Sequence, residues 1–315
     1  MSLSLVIQLW NRFWFVKESP APLCVLRIAY GLVILTCLIN WAPDVLLLFG
    51  NNGVVTAEAI QSFNGGPRFS LLFLLPDNDE YIVALFYLMM TAACCVTVGL
   101  FTRVSLIVLF VLLVSFQNRN SAMLISADYL LSTMAFILAL SPAGQMFSLD
   151  YWRKKRAGKA IEHWDVKADI WPLRLLQLQF TAVYYDAFVG KALSRYWQDG
   201  TAVYYVSRID ILRHMPVPFV FDHLWTCQLL TWSTVVIELA LCTLVWVKPL
   251  RYYVLAAGLL MHLCLEWCLT IPIFQYAMIT LYLSFVEPTH IKCFIDSIAS
   301  GAQRLHNRLL PAGGH

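Results

Sequence analysis

Apolar residues run almost unbroken through eight stretches of this chain, at about 22–41, 81–101, 104–118, 122–141, 172–190, 224–247, 252–270 and 272–287. Coiled as helices, runs of roughly 20 such residues match the thickness of a lipid hydrocarbon core, and polar segments separate them. The third run is short, and only Ile271–Pro272 divides the last two. Proline removes a backbone donor there, which predicts two tightly connected helices rather than one long one. The predicted fold class is all-α, a polytopic integral membrane helix bundle of about eight transmembrane helices.

Composition points the same way. Of 315 residues, 60% are hydrophobic and only 13% charged, with a mean hydropathy of +0.68, far above a soluble domain. Eight spans leave no room for a large separate soluble domain. A net charge of +3 gives no reason to expect nucleic acid as a partner. Residues 1–20 read as an amphipathic interfacial helix rather than a cleaved leader. Trp10, Phe13, Trp14 and Phe15 are expected at headgroup depth, with Arg12 and Lys17 toward water. The transmembrane domain is expected over 21–288, and a tail over 289–315. Nine cysteines, an odd number lying mostly in apolar runs, read as small buried hydrophobes. His262, Cys264 and Cys268 are too few and too poorly phased for a metal site, so no metal is expected.

Basic residues in short loops orient the spans. The loop 142–171 holds Arg153, Lys154, Lys155, Arg156 and Lys159 with no acid interspersed and is assigned to the cytoplasm. Arg103, Lys248, Arg251, Lys292, Arg304 and Arg308 then also fall inside, and both termini are cytoplasmic. Segment 42–80 falls outside, with Asp44, Glu58, Asp77, Asp79 and Glu80 against Arg68. The outer segment 191–223 is harder to place. Lys191, Arg195, Arg208 and Arg213 outnumber Asp199, Asp210 and Asp222, which asks for an anionic substrate or a catalytic cation.

The fifth span is the most polar. At 100° per residue, Arg174, Gln177, Thr181, Tyr184, Tyr185, Phe188 and Lys191 share one wide stripe, with Gln179 and Asp186 on the other side. Lys191 ends the stripe with no local acid in phase. It either snorkels to headgroups or occupies an apolar pocket and serves as a base. Other ionisable groups inside spans are Arg27, Asp128, Glu238 and the i,i+4 pair His262/Glu266. Arg27 with Glu238 or Asp128 would be an ordinary interhelical charge pair. Glu266 could fix the His262 tautomer, and His262 reads equally as a core hydrogen-bonding residue or a functional one.

These residues carry a resemblance. Leu26-Arg27-Ile28, Gly31-Leu32, Val98-Gly99-Leu100, Arg103, Ser148-Leu149-Asp150, Val183-Tyr184-Tyr185, Val189-Gly190-Lys191, Glu238, Arg251, His262 and Phe274-Gln275-Tyr276 follow one order over most of residues 20–288. The pattern resembles the HTTM (horizontally transferred transmembrane) family, to which vitamin K-dependent gamma-glutamyl carboxylase belongs. The 24-residue step from Glu238 to His262 matches that enzyme's acidic residue and histidine.

The resemblance implies that Lys191 is a catalytic base toward a reduced isoprenoid quinone, vitamin K-like, with His262 beside it. Tyr184, Glu238, Phe274 and Tyr276 would shape the quinone site. Two departures accompany it. Ala127, beside Asp128, stands where the carboxylase has an assisting histidine. The chain also ends at His315, without the outer domain that holds a peptide substrate, so processive carboxylation is not expected.

Two functions follow as expectations. One is a quinone- or lipid-dependent membrane enzyme, carboxylase-like, in a bacterial cytoplasmic (inner) membrane. The other is a non-catalytic partner or scaffold for a separately encoded peptide-maturation or thiol oxidoreductase system. A transporter is a weaker reading, since no internal repeat is visible.

Overall fold

All eight apolar stretches fold as helices in the computed structural model, which describes residues 3–63, 68–76, 78–159, 161–214, 219–271 and 273–309. Asp77, Pro218, Pro272 and His315, together with the side chains of Arg304 and Arg308, lie outside the described residues. The main helices are α1 (Leu3–Trp14), α2 (Ala21–Trp41), α3 (Asp79–Val98), α4 (Thr102–Arg119), α5 (Ser126–Leu140), α6 (Trp171–Ala192), α7 (Leu224–Thr243), α8 (Lys248–Cys268), α9 (Phe274–Tyr282) and α10 (Pro288–Leu309). The described strand content is one antiparallel pair, Lys17–Glu18 against Ala168–Asp169.

Local chemistry sets the helix ends. The Asn78 side chain caps α3 by accepting from the Glu80 N–H at 2.9 Å, and Asp79 and Glu80 occupy the positive first turn. α3 stops at Gly99, whose φ of +70° closes the helix in the left-handed conformation that glycine reaches most cheaply. That stop is why α3 ends before the apolar run does. α2, α6 and α8 each begin with a proline in the first turn, where its missing N–H costs nothing. The predicted tail instead begins as a helix, α10, whose Ile291 packs with Ala21, Cys24, Met146 and Val166.

By length and composition, four described segments can cross a membrane: Ala21–Phe49, Asp79–Val98, Thr102–Arg119 and Leu224–Trp246. α6 and α8 are as long but carry three charged residues each. α5, with 15 residues, and α9, with nine, are shorter than the roughly 20 that a full crossing needs. Helices thus stand at the eight expected positions, and four of them are long and apolar enough to cross a membrane. Leu32, Ile39, Val104, Val236, Leu260 and Trp267 are exposed on the outer faces of the bundle, an apolar surface suited to lipid.

Neighbouring helices alternate in direction, giving the bundle two ends. One gathers the starts of α2, α4, α6 and α8. The other gathers their far termini together with the starts of α3, α5, α7 and α9. Leu26, Tyr30, Phe86, Phe116, Leu138 and Phe180 are buried in the core between them.

At the first end Arg27 is fully buried and forms no ion pair among the described residues. Its two Nη atoms donate to the carbonyls of Ala143 at 3.1 Å and Phe147 at 2.6 Å, which corrects the expected pairing with Glu238 or Asp128. Asp150 accepts from the Phe101 and Thr102 N–H groups at 2.9 and 2.8 Å and from the Thr102 hydroxyl at 2.8 Å, while its own N–H donates to the Gly99 carbonyl. Burial alone would raise the Asp150 carboxyl. The bonds from Thr102 and Phe101, with the Arg153 charge, outweigh that and hold it below the ordinary carboxylate value. A Cβ on Gly99 would collide with Arg27 and Ser148.

Candidate functional site

The polar stripe on α6 is consumed residue by residue by other elements. Arg174 donates to the Phe13 carbonyl at 3.2 Å and to the Gln177 side chain at 2.8 Å, tying α1 to the bundle. Gln177 donates to the Ser284 carbonyl at 2.7 Å, and Thr181 accepts from the Trp246 indole at 3.0 Å. Tyr185, counted in the same stripe, is 60% exposed and stands outside this set.

Two turns further on, the contacts change character. Tyr184, His262 and Gln275 are buried, and they join side chain to side chain: the Tyr184 hydroxyl to His262 Nε2, and His262 Nδ1 to Gln275 Oε1. The Tyr282 hydroxyl lies 2.8 Å from that of Tyr184. Because Gln275 Oε1 can only accept, His262 donates from Nδ1 and keeps Nε2 as an acceptor for Tyr184. This corrects the expectation for Glu266, which instead accepts from the Tyr276 hydroxyl at 2.8 Å. Gln275 belongs to the Phe274-Gln275-Tyr276 motif but was not singled out. An amide in the middle of an apolar run was the available signal.

Lys191 is not unpaired. Its ammonium sits 2.8 Å from Glu238 Oε1 on α7, and it lies 5.1 Å from the centre of the Trp197 ring. The lysine side chain retains 23% exposure and the glutamate 8%. Glu238 Oε2 is buried with no hydrogen-bond partner among the described residues. No sequence-local argument reveals this pair, because 47 residues separate its members. Tyr184 and Lys191 are seven apart, so the two networks lie on one face of α6. Phe274 and Tyr276 stand apart from both: Phe274 is half-buried against the core and Tyr276 is 47% exposed.

The basic excess of segment 191–223 also resolves. Arg195 faces Asp199 at 3.6 Å, Arg208 faces Asp222 at 3.8 Å, and Arg213 faces Asp210 at 2.9 Å. With Lys191 on Glu238, each of the four bases has a carboxylate, so no charge is left over to explain.

Near the same end, a cavity of about 810 Å³ opens between α2, the end of α4, the start of α5 and the α8–α9 junction. Its walls are mainly apolar, with Trp41, Phe49 and Phe116 among them. Asp128, Glu266 and Tyr276 line it; Lys191 and His262 do not. Asp128 accepts from the Ile125 N–H at 2.9 Å, which caps α5. Among the described residues no group of His, Cys, Asp and Glu is arranged to hold a metal ion.

Residues 15–290 match the family model of the HTTM domain. No curated protein and no solved structure matches the chain significantly.

Proposed function

The chain belongs to the HTTM domain family of membrane proteins, and from that footing we propose that it is a quinone- or lipid-dependent membrane enzyme whose proton-handling site is the Lys191–Glu238 pair. The observation that carries this reading is the pair itself, a partly buried ammonium on a carboxylate that keeps one oxygen free, beside the Tyr184–His262–Gln275 chain. Charged groups are retained in an apolar bundle at a cost of about 3 kcal/mol each, which favours a role beyond packing.

A reduced isoprenoid quinone would supply an acidic phenolic hydroxyl and two electrons. The cavity of about 810 Å³ near the same end is within the size and apolar character of small-ligand sites, but neither Lys191 nor His262 lines it, so the reading rests on the ion pair and not on that cavity. Lys191 in its ion pair already holds its proton. It becomes a base when that proton passes to Glu238, leaving a free amine to take one from a hydroxyl. The Trp197 ring lies beside the ammonium, its centre 5.1 Å away. His262, with Nε2 toward Tyr184, holds that hydroxyl in position rather than acting as the first base.

The reading includes eight membrane crossings with both termini in the cytoplasm, as in a bacterial inner membrane. Single cysteines near Glu58 and near Lys154, in a background free of native cysteine, then label from opposite sides. Labelling from one side overturns the arrangement. For the activity, a Lys191→Ala protein that remains folded and inserted loses quinone-dependent turnover, and unchanged turnover overturns the assignment.

One observation favours a second reading, a non-catalytic scaffold. The segment after α6 exposes Tyr196, Tyr205, Ile211, Phe219 and Trp225 while its bases are neutralised. That surface suits a separately encoded peptide or thiol oxidoreductase. Quinone that co-purifies with the protein supports the enzyme; a stoichiometric protein partner with no quinone supports the scaffold.

A further inference from the structure

At the opposite end of the bundle, a second cavity of about 960 Å³ forms an open groove. Six bases line it, namely Lys17, Arg103, Arg153, Lys154, Lys159 and Lys167, against two acids, Asp150 and Asp169. They come from four separate parts of the chain. The pairing of Lys17–Glu18 with Ala168–Asp169 sets Lys17 opposite Asp169, and Lys167, next to the second strand, lines the same groove. Arg103 starts α4 and is held by a bond from its Nε to the Ala139 carbonyl at 3.2 Å. Arg153 and Lys154 lie on the short helix Leu149–Arg156, with Arg153 stacked over Phe101 at 4.9 Å, and Lys159 follows the turn after it.

A preference for basic residues on one side of a membrane places charges on that side, but it does not require segments so distant in sequence to meet around one hollow. The charges in the hollow are only partly compensated, by Asp150 near Arg153 and by Asp169 opposite Lys17. Asp150 directs both carboxylate oxygens to the start of α4. Among the described residues Lys17, Lys154, Lys159 and Lys167 form no ion pair. The wall running toward the bundle is apolar, with Val104, Leu106, Leu140, Trp171 and Pro172.

A cationic floor continuous with an apolar flank suits an amphiphile with an anionic head. We propose that this groove binds the phosphate headgroup of an anionic phospholipid, with the acyl chains leaving along the Val104–Leu140–Trp171 flank. The proposal rests on the chain being a membrane protein and not on the quinone reading, because the groove shares no residue with Lys191, Glu238 or His262.

Native mass spectrometry of the full-length protein, equilibrated with equal phosphatidylglycerol and phosphatidylcholine, tests it. The wild type retains phosphatidylglycerol selectively, and added salt weakens that retention. K154Q/K159Q/K167Q changes three exposed side chains and leaves the unfolding temperature unaltered, but lowers phosphatidylglycerol retention about tenfold or more. K154R/K159R/K167R keeps the retention. Failure of millimolar inorganic phosphate to displace the lipid identifies a headgroup site. Displacement by phosphate supports the same anion chemistry with a soluble phosphate as its source. Equal retention of the two lipids by the wild type, or undiminished phosphatidylglycerol on the Gln variant, overturns the proposal. The salt dependence of the wild type alone decides the matter if the Gln variant does not fold.

Discussion

At the end of the bundle where α2 begins, Arg27 and Asp150 bond mainly to backbone groups, those of Ala143 and Phe147 and of Phe101 and Thr102, with the Thr102 hydroxyl as one further donor to Asp150. At the opposite end, Lys191 and Glu238 hold each other, and Tyr184, His262 and Gln275 hold one another, through side chains alone. Both clusters are built from residues of the same sequence pattern. A side chain bonded to fixed backbone has one state and locks loops in place. A pair of ionisable side chains has more than one proton arrangement, and that freedom is what chemistry requires. The pattern therefore contains a structural knot and a candidate site, and only the partners tell them apart.

The contrast breaks most severely at Gly99. Gly99→Ala forces a left-handed φ on a residue with a side chain and drives its Cβ into Arg27 and Ser148. The combined strain and overpacking cost about 3 kcal/mol or more. Thermal unfolding in detergent should show a large loss, and a near-native midpoint would mean that the knot is looser than described.

Glu238→Ala comes next. It leaves the Lys191 ammonium without its carboxylate. Breaking a fully buried pair costs about 3–5 kcal/mol, and the partial exposure of the lysine reduces that to about 2 kcal/mol. Lys191→Ala/Glu238→Ala should recover part of the loss in a double-mutant cycle, and additive losses would deny the pair.

Asp150→Asn gives the smallest effect, about 1 kcal/mol, as for loss of a charged helix cap. Its pH dependence is specific. The folded carboxyl titrates below its unfolded value of about 3.9, so its contribution is present above that value and fades as the pH falls through the lower folded one. The wild type should lose its advantage over Asp150→Asn on acidification. A gap between the two that stays constant to low pH contradicts the assigned bonds.

The same contrast explains what was legible in the sequence. Helix positions followed from apolar runs, because burial and lipid exposure both select long apolar helices. Tyr184 and Lys191 stood out because polar groups are rare on such a face. Glu238 and His262 stood out too, but not as their partners, since Glu238 is 47 residues from Lys191 and His262 is 78 from Tyr184. Helical phase ties His262 to Glu266 one turn away, yet packing hands His262 to Gln275 and Glu266 to Tyr276. Periodicity reports which face a residue occupies and is silent about which helix that face meets. Arg27 misled for a related reason: a buried arginine can be satisfied by two carbonyls as readily as by a carboxylate.

The most direct test replaces the ion pair with apolar side chains of similar size, Lys191→Met/Glu238→Leu. Such exchanges of buried pairs are often neutral for stability. The predicted result is an inserted protein with a wild-type unfolding midpoint and no quinone-dependent turnover. Retained turnover would contradict the account, reducing the pair to one more structural contact like those at the other end.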